Sequence, residues 1–514
     1  MKRRFTLRKR RSGVLLHVTS LPSVHGIGDL GPEAFRFADF LSSSGQGWWQ
    51  VLPISPTGKS NSPYDSVAAF GGNPMLISLE RLVSDGLLNL EDTASEKMFP
   101  GERVNYKLVQ AFKESRLRKA FRNFEKQQTS EDCAQFEEYC DANELWLSDY
   151  AMFCALKEAH SGVSWTKWSS HLRNRRASAL KHMRQKLGGR IRYHQFLQYK
   201  FWAQWNALKK YCNKLKIGLI GDIPFFVSHE SVDVWAHQES FALDAHGAAS
   251  AVAGVPPDYF SRTGQLWGYP LYRWDTMRSQ GYEWWLERIG VAFKRFDTVR
   301  MDHFIGFQRC WRVDANARTA KRGRWIKGPG ADFFKEVIRR QEPFELIAED
   351  LGIVTPDVKA LRERFGFPSI RVLQFAFGKD PEASNHLPHN YDRHCVVYTG
   401  THDNDTIVGW FRDKGFGAST RSKRDIEGEL RFALRYLHSD GHEVNWDMIR
   451  LALMSVADTA IIPAQDILGL GSEARMNRPG QSNGNWEWRL VDKQLNRNIA
   501  NRLRLLSETY ERSI

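Results

Sequence analysis

No stretch of this chain approaches the roughly 20 consecutive apolar residues that a membrane-spanning helix requires. No C-x-x-C pair is found among its six cysteines. The first absence argues against a membrane protein. The second leaves Cys133, Cys140, Cys154, Cys212, Cys310 and Cys395 scattered, without the spacing of a zinc site or a disulfide framework. Small buried hydrophobes are the expectation for most of them. No internal repeat and no low-complexity linker is visible either. The basic start, "MKRRFTLRKRR", runs into a strand-like segment where a secretory signal would have its apolar h-region, so a cytoplasmic protein is expected.

Acid is in deficit as well, with 59 Asp and Glu against 73 Lys and Arg, a net charge of +14. The imbalance is local. Residues 2–11 carry seven basic side chains and residues 173–192 carry eight, neither tract with any acid, which exceeds the whole surplus. A solvated basic N-terminal arm over residues 1–11 and a solvated helix face are the expectation. A nucleic-acid-binding surface on the main body is not.

What is present is a long chain with an ordinary globular composition. Its 514 residues, 42% hydrophobic and 26% charged, guarantee a large core. Eight short apolar runs bounded by turn residues read as strands: "GVLLHV" near 13, "WWQVLPI" near 48, "IGLIGDI" near 217, "DTVRMD" near 297, "FELIAED" near 344, "SIRVLQF" near 369, "CVVYTGTHD" near 395 and "TAIIPAQD" near 459. Amphipathic helical stretches such as "EWWLERIGVAFKRF" and "PDVKALRERFG" lie between most of them. Alternation of this kind predicts parallel pairing and an α/β fold, a (β/α)8 TIM barrel with long, mostly helical insertions over residues 12–514. An open doubly wound sheet is the structural alternative. A barrel needs about 250 residues, so a mostly helical subdomain is expected at 75–195 and an active-site loop insertion at 228–281.

Asp222, Asp302, Glu349, Asp403 and Asp466 all fall at or just past the C-terminal end of a predicted strand, the face on which barrel enzymes place their chemistry. Arg300 and Asp302, two apart on one strand, share a face, and a guanidinium that close favours an ionised carboxylate. Glu349 ends the next strand, and partial desolvation beside other negative charges would keep it protonated. One anionic and one protonated carboxyl form the pair used in retaining glycoside chemistry, about 5–5.5 Å apart. Asp403 is a third acid suited to sugar hydroxyls, with His402 beside it as a neutral donor. Alternatively, Arg300 and Asp302 make a structural ion pair, Glu349 and Asp350 cap a helix, and "HDND" is a polar loop. The aromatics support a sugar ligand: "PPDYFSRTGQLWGYPLYRW" crowds Tyr259, Phe260, Trp267, Tyr269, Tyr272 and Trp274 around Gln265. Flat apolar faces suit pyranose rings, and polar groups orient their hydroxyls.

From about residue 12 to 490 the chain resembles the amylomaltases, or 4-α-glucanotransferases, of the α-amylase-like superfamily. The stretches that carry the resemblance are "GIGDLG", "WWQVLPISPTG", "NSPYDS", "GDIPFFV", "SVDVW", "GVPPDYFS", "GQLWG", "RMDHF", "GRWIKGPG", "AEDLG", "THDND" and "GLGSEARMN". It implies Asp302 as nucleophile, Glu349 as acid/base and Asp403 as transition-state stabiliser. It further implies donor-sugar contacts from Tyr64, Asp222, Arg300, His303 and His402, and acceptor contacts from Tyr259, Phe260, Gln265, Trp267 and Asn477. The implied activity is transfer of α-1,4-glucan segments between chains by a monomer needing neither metal nor organic cofactor. Tyr269 and Gln481 depart from the family's usual Asn and Thr. Three rivals stand beside this reading: an α-glucan hydrolase with the same carboxylates, a non-catalytic glucan-binding protein, and nucleic-acid binding through the basic tracts, which predicts steeply salt-dependent retention on DNA or RNA.

Overall fold

The computed structural model describes residues 5–95, 98–127, 129–257, 262–341, 344–352, 354–413 and 422–514. Its twelve strands are β1 (Arg11–Leu15), β2 (Trp48–Gln50), β3 (Gly218–Ile223), β4 (Ala251–Val255), β5 (Gln265–Pro270), β6 (Thr298–Met301), β7 (Arg309–Asp314), β8 (Gly323–Lys327), β9 (Leu346–Ala348), β10 (Ser369–Val372), β11 (Cys395–Tyr398) and β12 (Thr459–Pro463). Eight of them, β1, β2, β3, β6, β9, β10, β11 and β12, pair in parallel in chain order, with β12 returning to β1. The Ala348 N–H donates to the Pro368 carbonyl at 3.1 Å, linking the last gap between β9 and β10. These are the eight expected strands, and the fold is a (β/α)8 barrel. Their near-continuous apolar character follows from burial on both faces. Gly218 permits β3 to lie close against β2, since a Cβ there would stand 2.4 Å from the Trp48 ring.

Helices fill the span between β2 and β3, but the boundary expected at 195 falls inside one continuous helix, Gly188–Lys214. Phe196, Leu197, Phe201, Trp205 and Leu208 are buried along it, and the Trp205 indole donates to the Arg295 carbonyl at 3.0 Å. One apolar face runs from the added helices to the barrel wall, so the chain has no reason to break there.

The arm expected to be solvated has Arg8 and Lys9 exposed, but it is anchored to the barrel and needs correction at residues 5–7, 10 and 11. Phe5 and Leu7 are buried, with Phe5 against Trp48 at 5.9 Å, and the Thr6 hydroxyl and Leu7 N–H both donate to the Glu345 carboxylate. Arg10 caps the carbonyls of Leu453, Ser455 and Tyr510, and Arg11 opens β1. The buried Arg512 does the same for Arg11, Leu453, Ser455 and Ala457. These guanidiniums satisfy carbonyls at the barrel floor, which is why their charge is there. In the second basic tract Arg175 pairs with Asp149 at 2.8 Å and lies over Trp235, and Arg192 bridges Glu125 and Glu137. Arg184, Lys186 and Arg190 are exposed, as expected of a solvated face.

A second sheet had no counterpart in the expected loop. Strands β5, β4, β7 and β8 pair antiparallel in that order, two from the 228–281 insertion and two from the segment after β6. Among the described residues no helix is long and apolar enough to cross a membrane.

A buried ion pair ties the added helices to the loop after β1. Lys113, wholly buried on the helix Tyr106–Gln127, donates to Asp29 at 2.9 Å and to the Met75 carbonyl at 2.7 Å. It supplies positive charge where His25, Asp29 and Glu80 converge. Lys113→Met would strand Asp29, whose carboxyl burial already raises. We expect it to cost about 3–5 kcal/mol and to lower the midpoint of thermal inactivation, while Lys113→Met/Asp29→Asn recovers most of the loss. A single variant no less stable than the double would contradict this account.

Candidate active site

Strand register brings the site together. Asp222 on β3 pairs with Arg300 on β6, and Met301 pairs with Ala348 on β9. The next residues, Asp302 and Glu349, therefore leave adjacent strands side by side at the C-terminal face. Backbone bonds hold that exit in place: Asp302 N–H to Ile223 O at 3.0 Å, Glu349 N–H to Met301 O and Phe304 N–H to Glu349 O, both at 3.1 Å.

Arg300, buried to 7% side-chain exposure, is the hub. Its Nη1 donates to both Asp222 oxygens at 2.9 and 2.8 Å and lies 3.0 Å from Asp302 Oδ1, while Nη2 lies 4.0 Å from Glu349 Oε2. One cation thus serves three carboxylates. Burial raises Glu349 to about 7; Arg300 opposes that shift and the Asp302 charge adds to it. Asp222 is raised to about 7 chiefly by burial too. Desolvation works against Arg300, but its carboxylate neighbours outweigh it and its pKa lies well above the ordinary value. Glu349 is fixed by two backbone donors, His303 N–H at 2.7 Å and Leu351 N–H at 3.1 Å. The bend that aims the first of these has His303 in the left-handed region, φ 49°.

Burial lowers His303 to about 4, so it is neutral at pH 7. Its ring stands edge-on to Trp267 at 4.9 Å and near Phe226 at 5.9 Å. Across the mouth, Tyr64 donates to Asp222 at 2.8 Å and stacks on His402 at 5.0 Å. Burial lowers the His402 pKa as well. Asp403 is half exposed, with Oδ1 accepting from Asn477 Nδ2 at 2.6 Å and Oδ2 3.5 Å from His402 Nε2. The structure therefore gathers Tyr64, Asp222, Arg300, Asp302, His303, Glu349, His402, Asp403 and Asn477. Gln265 and Trp267 sit on β5, with the Trp267 indole donating to Gln265 at 3.3 Å. Tyr259 and Phe260 lie outside the described residues.

Asp466 does not join them. It is buried, accepting from the Thr399 hydroxyl at 2.6 Å and the Ile407 N–H at 2.8 Å, and so supports the β11 loop from behind. Asp350 faces Arg362 at 3.2 Å, away from the hub. Three neighbours escaped the sequence reading: Phe226; Trp486, whose ring lies 5.9 Å from both Tyr64 and His402; and Arg475, which donates to the Asp403 carbonyl at 2.6 Å. Arg475 stands in "GLGSEARMN" two residues before Asn477, a signal that could have found it.

A barrel whose C-terminal face sets an arginine-bound carboxylate beside a carboxyl raised to about 7, rimmed by neutral imidazoles and aromatic rings, defines an enzyme acting on glycosidic bonds. Comparison with known proteins narrows the class. The profile of the family described as 4-alpha-glucanotransferase matches residues 16–494. The 4-alpha-glucanotransferase of Thermus thermophilus is 46% identical over 98% of this chain and 99% of its own length. That of Synechocystis sp. is 45% identical over 99% of both. Among solved structures, the Streptococcus agalactiae amylomaltase superposes with a TM-score of 0.92 at 35% identity, covering 98% of this chain and 100% of that one. The chain belongs to the 4-alpha-glucanotransferase family and is an enzyme of that activity.

A catalytic step that used the Glu349 proton would carry a pH dependence. A raised carboxyl is protonated below its pKa and loses the proton above it, so a step that uses the proton slows as pH rises. We expect kcat/KM on maltotriose to fall above a pH of about 7, approaching tenfold per pH unit. A profile still climbing at about pH 9 would exclude Glu349 as the proton donor.

Proposed function

We propose that this enzyme disproportionates maltooligosaccharides and longer starch- or glycogen-type chains by double displacement. The donor glucan lies with its scissile bond between Asp302 and Glu349. As Asp302 Oδ attacks C1, Glu349 gives its proton to the glycosidic oxygen; the C1–O bond breaks, an ester to Asp302 forms, and the shortened chain leaves as an alcohol. The 4-hydroxyl of a second glucan then loses its proton to the Glu349 carboxylate and attacks C1, releasing Asp302. Asp403, oriented by Asn477, bonds sugar hydroxyls as positive charge develops at C1. Tyr64, Asp222, Arg300, His303 and His402 hold the donor ring, while Gln265 and Trp267, joined by Tyr259 and Phe260, receive the acceptor.

The observation that carries this reading is the attachment of Asp302 and Glu349 to one guanidinium, Arg300. The attacking and proton-carrying groups are thereby held in one frame, a precondition for concerted action on one bond. A single chain supplies the whole set, which suits a monomer. The six cysteines are all free, in keeping with a reducing, cytoplasmic setting. The Trp267 face beside His303 favours a sugar acceptor over water.

Incubation with maltotriose alone, with products resolved by chain length, tests the proposal. Glucose plus a ladder of longer maltooligosaccharides at constant reducing ends is expected; rising reducing ends would mean hydrolysis. Asp302→Asn should lower the rate by about a thousandfold or more. Near-full activity in that variant would remove Asp302 from the mechanism.

A further inference from the structure

The hairpin formed by β7 and β8 differs in composition from its surroundings. Residues 309–327 hold seven Lys and Arg against one acid, Asp314. Arg318, Lys321, Arg322 and Arg324, in its turn and at the start of β8, are exposed. Clustering like charges opposes folding, so such a cluster needs a compensating role.

Aromatic surface lies beside the charge. Trp311 pairs with Trp325 across β7 and β8 and with Gly254 across β4 and β7, and Gly254 pairs with Leu266 on β5. Residues opposite one another on paired strands share a face, so these four form a single row. Trp325 and Leu266 are 40% and 38% exposed. The two indoles meet edge to face at 5.4 Å, and the Arg309 guanidinium lies 4.4 Å from the Trp325 ring centroid.

The hairpin is tied to the loop that leads into β5, whose other face looks toward the active site. The hairpin turn is bonded to the acceptor loop, the Ala320 N–H donating to the Thr263 carbonyl at 3.1 Å and the Trp311 indole to the Ala320 carbonyl at 2.9 Å. The opposite face of β5 carries Gln265 and Trp267, the latter beside His303.

A neutral sugar needs the indole but not the cations, whereas a phosphate ester on a sugar chain needs both. We propose that the β7–β8 hairpin is a platform for α-glucan chains bearing phosphate monoesters. Trp325 packs under a glucose ring, and the turn cations Arg318, Lys321 and Arg322 take the phosphate oxygens, with Arg324 adding charge from the other face of the β8 edge. The identity of the polymer rests on the glucan-transfer reading above, while the anionic group rests on the hairpin alone.

Affinity electrophoresis of the full-length protein through gels containing phosphorylated amylopectin, or the same amylopectin after phosphatase treatment, tests the platform without turnover. The phosphorylated polymer should bind about tenfold tighter at low salt, with the advantage shrinking as NaCl is added. R318A/K321A/R322A/R324A should reduce binding of the phosphorylated polymer to the level of the dephosphorylated one, R318K/R322K/R324K should keep the preference, and Trp325→Ala should weaken binding of both. Equal binding of the two polymers by the unaltered protein, or an unchanged preference in the quadruple variant, would overturn the proposal. So would a polyuridylate competitor that displaces the protein as well as phosphorylated glucan at equal phosphate concentration, since the hairpin would then be a general polyanion surface. Running the maltotriose ladder on the same preparations separates the two readings: failure of transfer appears there, failure of the platform only in the gels.

Discussion

Everything at the barrel mouth depends on one buried cation. Arg300 is the only positive charge in direct contact with Asp222, Asp302 and Glu349 among the described residues. A guanidinium suits this position because one terminal nitrogen bonds both oxygens of Asp222 while the other is left toward Glu349. One cation does not offset the burial of Asp222 and Glu349 beside a third carboxyl, so the site retains a proton near neutral pH. The groups raised to about 7 are Asp222, which Arg300 and Tyr64 hold, and Glu349, at the edge of the hub. The same charge deficit that makes the cluster expensive to bury therefore creates a carboxylic acid beside a carboxylate.

The barrel separates this strained top from a floor built for stability. Below, Arg10 and Arg512 satisfy rows of carbonyls at the termini of β1 and β12, and Phe5 packs on Trp48. Above, the bend at His303 and the small antiparallel sheet determine what can approach Asp302. The pleat of β5 divides that sheet into two working faces, with Gln265 and Trp267 toward the catalytic hub and Leu266 in the outer row with Trp311 and Trp325. Charge is distributed accordingly: structural arginines below, and a basic hairpin tied to the loop before β5.

Much of this was legible beforehand. The eight barrel strands stand out because burial on both faces makes each a dense apolar run, and a charge immediately after such a run is conspicuous, as at Asp222, Asp302 and Glu349. Asp466 has the same pattern yet serves Thr399 and Ile407, because position at a strand end does not tell which way a side chain turns. The second sheet was hidden for the opposite reason. Its outer strand β8 is largely exposed and lacks an apolar run, and its four members come from two separate loops. The basic hairpin was masked by averaging, since its surplus is cancelled by acids elsewhere once the two larger tracts are removed. The arm was only partly misjudged: Arg8 and Lys9 are exposed as expected, but among seven cations in ten residues nothing local reveals that Arg10 serves carbonyls of the distant residues 453, 455 and 510.

By itself the sequence determined the eight apolar strands and their order, the resemblance to the family, and which carboxylates end those strands, because these follow from apolar period, chain order and short contiguous motifs; that the sheet closes into a barrel was settled by the structure. Tertiary structure alone decided that Arg300 is shared by three carboxylates, that Glu349 rather than Asp350 faces the hub, that Asn477 holds Asp403 and that the N-terminal tract closes the floor. Each of these joins groups tens to hundreds of residues apart, and their burial and separation, on which charge and pKa depend, exist only once the ring of strands has closed.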